Sequence, residues 1–89
     1  MKKNSYIKDL LNKVLVKLSD SKAINVETLN IKERSSIADY IVISEGTSSR
    51  HVSAIVNNIG KSMKKKILSI EGLPQADWAL IDFGDIVLH

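Results

Sequence analysis

Three groups of side chains in this 89-residue chain have types and spacings that permit chemistry. The first is Glu45-Gly46-Thr47-Ser48-Ser49-Arg50-His51, set just before an amphipathic run. At the start of a helix, free backbone N–H groups, the hydroxyls of Thr47, Ser48 and Ser49, and Arg50 can hold an anion such as a phosphate. The segment has one glycine and neither G-x-x-x-x-G-K-[ST] nor G-x-G-x-x-G, so a turn and helix cap with exposed polar side chains is the simpler reading. The second group is Asp77, Asp82 and Asp85. Paired carboxylates can bind a divalent ion for phosphoryl or nucleotidyl transfer, yet no D-x-D alternates on one strand face here. Turn residues explain these aspartates more simply. The third group is histidine. His51 and His89 are the only two, with no cysteine and no H-E-x-x-H, which disfavours a zinc site. A triad of Ser49, His51 and Asp39 can be drawn, but residues two apart on one helix do not face each other. Trp78, the only tryptophan, stands in the acidic C-terminal segment. It suits a core position and, beside carboxylates on a sheet face, equally an interface anchor.

These residues need elements to position them. The central unit spans 38–66 and reads as strand, polar loop and helix. Tyr40, Ile41, Val42 and Ile43 form an unbroken apolar run, which predicts a central strand covered on both faces. Gly46 breaks it, Thr47 to Ser49 supply turn and cap, and Val52, Ile55, Val56, Ile59 and Met63 then recur as a helical stripe. A strand feeding a helix this way is half of a β-α-β crossover. Before it, Ile7, Leu10, Leu11, Val14, Leu15 and Leu18 predict a helix capped by Asn4 or Ser5 and ended by Ser19 to Ser21. Residues 23–31 alternate as a strand, with a phase change near Thr28 that predicts a bulge or an early end. The polar residues Asn30 and Lys32 to Ser36 form a loop. Ile67 to Ile70 make a short strand closed by Gly72 and Pro74, and 77–89 reads as two strands around a turn at Phe83-Gly84. Trp78, Leu80 and Asp82 are expected on one face of the first of these, Ala79 and Ile81 on the other. The expected architecture is one small α/β domain over residues 1–89 with a mixed sheet and flanking helices.

Composition narrows the class. With 44% hydrophobic and 26% charged residues the chain is globular, not disordered. No run approaches the ~20 apolar residues that span a bilayer, and Asp9, Asn12 and Lys13 interrupt any signal-peptide core, so a cytoplasmic protein is expected. An organelle protein relieved of its targeting segment has the same look. Charge is uneven: residues 1–36 hold eight Lys/Arg against four Asp/Glu, 37–66 five against two, and 67–89 none against four. That asymmetry favours a macromolecular partner of mixed charge over simple adhesion to nucleic acid.

Asp39-Tyr40, Gly46-Thr47-Ser48-Ser49-Arg50-His51, Glu71-Gly72, Asp77-Trp78 and Asp82-x-Gly84-Asp85-x-x-x-His89 together resemble the ribosomal silencing factor (iojap-like) family, from about Tyr6 to His89. Family members continue past this histidine, so a chain lacking the C-terminal tail is the expectation. The resemblance implies a five-stranded mixed sheet with helices, similar to a nucleotidyltransferase fold without its catalytic carboxylates. It implies no enzyme activity, cofactor, metal, membrane or small-molecule substrate, and leaves room for a homodimer. The implied role is binding the large ribosomal subunit through its fourteenth protein and blocking the small subunit, which lowers translation. Organelle relatives are tied to large-subunit assembly. Carried over residue by residue, the candidate partner contacts are Thr47, Ser48, Ser49, Arg50, His51, Trp78 and Asp82. Two other readings compete: a small RNA-binding or ribosome-assembly module, and a metal-dependent nucleotidyltransferase. Steep salt dependence would mark the first, and Mg²⁺ or Mn²⁺ binding with nucleotides the second.

Overall fold

The computed structural model describes residues 2–33, 38–73, 75–76 and 78–89. The expected loop at 34–36, together with Pro74 and Asp77, lies outside that description. In chain order the elements are α1 (Lys2–Asp20), β1 (Ile24–Asn30), β2 (Tyr40–Glu45), α2 (Ser49–Ser62), a 3₁₀ turn (Lys64–Lys66), β3 (Ser69–Glu71), β4 (Leu80–Asp82) and β5 (Ile86–Leu88). The strands form one sheet in the order β1-β2-β5-β4-β3. β2 and β5 run parallel, and the other neighbours are antiparallel. β3 therefore runs parallel to β2, and α2 crosses between them over β5 and β4. This is the mixed sheet that the sequence predicts.

Both helices bury the stripes their spacing forecasts. Ile7, Leu10, Val14 and Leu18 of α1, and Ile55, Val56 and Ile59 of α2 with Met63 just beyond it, join Val42, Ile81, Phe83, Ile86 and Leu88 in one core. Each such side chain contributes roughly 1.5–3 kcal/mol when removed from water. The helices lie antiparallel. At one end the Asn58 amide donates to the Ser21 hydroxyl at 3.3 Å, and at the other the Lys66 ammonium sits 4.6 Å from the centre of the Tyr6 ring.

Helix ends follow local chemistry. α1 begins at Lys2, so Asn4 and Ser5 fall inside its first turns and do not cap it. It closes with Ala23 N–H on the Leu18 carbonyl and Lys22 N–H on that of Ser19, with Lys22 left-handed at φ 61°. This is a Schellman ending, built on lysine where glycine is usual. Ser48 caps α2, its hydroxyl accepting from the His51 N–H at 3.1 Å.

Two strand expectations need correcting. β2 is second from the sheet edge, and both helices pack on the same sheet face. That face carries Val42, Leu88 and Ile81, which lie in register across three strands. Ile41 and Ile43 point the other way and remain half-buried. The unbroken apolar run thus reflects two faces with different cover. The irregularity of β1 falls between Ile24 and Glu27, earlier than the phase change suggests, because Asn25 takes a left-handed conformation at φ 51°. Its amide donates to Glu45 Oε2 at 2.6 Å, which fastens the bulge to β2.

Candidate functional site

The sheet face turned away from the helices is the main unexplained surface. Register places Leu29, Ile41, Val87, Asp82 and Ser69 in one row across all five strands. A second row carries Glu27 beside Ile43, and Glu71 beside Leu80; Ile24 beside Glu45 lies beyond it. The centre is thus apolar, with Leu29 exposed and Ile41, Ile43, Leu80 and Val87 half-buried. Around it stand the carboxylates of Glu27, Glu45, Glu71 and Asp82. Among the described residues, no strand contains a lysine or arginine. A half-solvated apolar centre with a rim of one charge has the anatomy of a protein interface.

Trp78 stands just before β4 and is 56% exposed, which removes it from the core. Leu80 and Asp82 share the open face as expected, opposite the buried Ile81. Gly72 holds the Trp78 backbone close: at φ 101°, a Cβ on it would overlap the Trp78 carbonyl. Asp82 has a structural duty too, since its Oδ1 accepts the Gly84 N–H at 2.7 Å and shapes the turn between β4 and β5.

The 47–51 segment occupies another place. His51 Nδ1 accepts the Thr47 N–H at 2.8 Å, and Nε2 lies 2.8 Å from the Ser21 carbonyl. These partners require hydrogen on Nε2 and a lone pair on Nδ1. His51 therefore ties the loop to the end of α1. Gly46 lets the loop pass close to α2: a Cβ there would come within 2.9 Å of Val52 Cγ2. Glu45, Gly46 and Val52 line a cleft of about 330 Å³ with Ile43, Trp78 and His89, so the start of the loop and the tryptophan adjoin one opening. Ser49 and Arg50 line a separate shallow depression with Asn57 and Gln75. Asp82 thus lies on the open sheet face, Trp78 in the cleft, Thr47, Ser48 and His51 in the loop and cap, and Ser49 and Arg50 in the depression. Among the described residues, no three of His, Asp and Glu converge as a metal site. Sequence reasoning missed Leu29, Ile41, Ile43, Val87 and the glutamates of the open face. The available signal was that two single-striped helices can cover only one face of five strands.

The family model described as "Ribosomal silencing factor during starvation" matches residues 4–89. The chain belongs to the ribosomal silencing factor family. A ribosomal silencing factor of Zymomonas mobilis is 43% identical over 90% of this chain and 62% of its own length. That of Halalkalibacterium halodurans is 39% identical over 91% of this chain and 72% of its own. The chain thus spans somewhat under two thirds of the first relative. A mouse protein named for mitochondrial assembly of the ribosomal large subunit is 40% identical over 57% of this chain and 25% of its own. Two crystal structures share the fold. One, from Bacillus halodurans, has TM-score 0.85 at 36% identity, covering 92% of this chain and 79% of its own. The other, from Chromobacterium violaceum, has TM-score 0.88 at 27% identity, covering 93% and 72%. Family and sheet topology agree with the resemblance read from the motifs.

Proposed function

We infer that this protein represses translation without catalysis, by seating its open sheet face on the large ribosomal subunit and obstructing the small one. The observation that carries this reading is the apolar centre rimmed by Glu27, Glu45, Glu71 and Asp82, with Trp78 exposed just ahead of β4. Such a face suits a basic, partly apolar protein surface, and the fourteenth large-subunit protein is the proposed partner. The cytoplasm is the proposed place of action. Trp78 is the anchor, Asp82 an acceptor for a partner Lys or Arg, and Thr47, Ser48, Ser49, Arg50 and His51 shape or extend the contact. Five strands at about 4.8 Å spacing make a face roughly 24 Å across. The mouse relative's name supports a second reading, a role in large-subunit assembly.

Subunit joining tests the reading. Purified large subunits, preincubated with the protein and mixed with small subunits, should yield fewer joined ribosomes on a sucrose gradient. The protein should travel with the large subunit. An undiminished joined peak at saturating protein contradicts silencing while leaving the assembly role standing.

A further inference from the structure

Charge in this fold is segregated by layer. α1, α2 and the 3₁₀ turn hold ten Lys/Arg against Asp9 and Asp20, whereas the strands hold none. Within the helical layer, the antiparallel packing gathers lysines at one end. The end of α2 brings Lys61, and the 3₁₀ turn brings Lys64, Lys65 and Lys66. The start of α1 adds Lys8. The Lys66 ammonium over the Tyr6 ring brings the two segments into contact.

Helix-end electrostatics explains only part of this. A lysine in the last turn offsets the helix dipole, and Lys61 meets that need. The end of α2 is already closed by backbone bonds, Met63 N–H to the Ile59 carbonyl and Lys66 N–H to that of Met63. Lys61, Lys64 and Lys65 are exposed, and among the described residues no carboxylate pairs with them. Like charges crowded this way repel, and a polyanion relieves the repulsion.

We propose that this lysine end is a second contact surface, which grips the phosphate backbone of ribosomal RNA while the acidic sheet face holds a protein. The apolar stripes of both helices are spent on the core, so no stripe remains to enter a lipid surface. That favours nucleic acid over membrane. Ribosomal RNA as the source of phosphate rests on the ribosome reading above; affinity for a phosphate backbone does not.

The experiment measures binding of wild type and a Lys61→Gln/Lys64→Gln/Lys65→Gln variant to deproteinised large-subunit ribosomal RNA across a salt series. Circular dichroism confirms that both are folded. Wild type should bind, and the variant should bind about tenfold more weakly at low salt, with the slope of log K against log salt shallower by about 2. Failure of wild type to bind RNA, or equal affinity and slope in a folded variant, overturns the proposal. So does tighter, lysine-dependent binding to anionic phospholipid vesicles than to RNA. Co-sedimentation with intact large subunits is read separately: RNA binding without co-sedimentation sinks the ribosome reading and spares the lysine surface, and the reverse result does the opposite.

Discussion

At the scale of single residues, two motif members have structural duties that any functional test must respect. Asp82 accepts the Gly84 N–H, so Asp82→Ala removes a turn contact together with a charge. Asp82→Asn keeps an acceptor and deletes only the charge. It should leave the thermal midpoint nearly unchanged and weaken subunit binding more at low salt than at high, whereas Asp82→Ala should also lower the midpoint. Equal salt dependence of wild type and Asp82→Asn would remove Asp82 from the contact. His51 joins the Thr47 N–H to the Ser21 carbonyl, and His51→Ala leaves both without their partner. A loss of about 1 kcal/mol is expected, read by urea unfolding. The sequence made the cap at Ser48 legible because capping is local chemistry. It could not show the His51 bond to Ser21, because that link spans thirty positions and depends on how the helices pack.

At the scale of elements, the helical stripes were the most legible feature, since apolar spacing and burial share one geometric cause. Val56 is 4% exposed within the core, and Lys64 is exposed at the helix end. Val56→Asp should therefore unfold the domain, an unpaired buried charge costing several kcal/mol against a total of about 5–15. Lys64→Glu should remain folded, and equal midpoints for the two would mean the helical face is misassigned. The end of α1 offers a gain. Lys22 bears a left-handed conformation that glycine adopts freely, so Lys22→Gly should raise stability by roughly 0.5–1 kcal/mol in urea unfolding. The strands were less legible. Tyr40 to Ile43 carry apolar residues on both faces, and an apolar run does not distinguish cover by helices from cover by a partner. Only the placement of both helices on one side of the sheet separates these cases.

At the scale of the whole molecule, the sequence shows the charge asymmetry but not its axis. Along the chain it reads as a basic beginning and an acidic end; folded, it becomes a basic helical layer and an acid-rimmed sheet. The apolar centre of that sheet, with Trp78 exposed at the approach to β4, is the proposed ribosome contact. The most direct measurement is the affinity of wild type and Trp78→Ala for purified large subunits, with circular dichroism on both. Wild type should bind the large subunit and not the small one. Trp78→Ala should keep the wild-type spectrum and melting curve while losing about 2 kcal/mol of binding, roughly thirtyfold. A folded Trp78→Ala that binds as tightly as wild type, or a wild type that binds both subunits alike, would contradict the claim that this face is the ribosome contact.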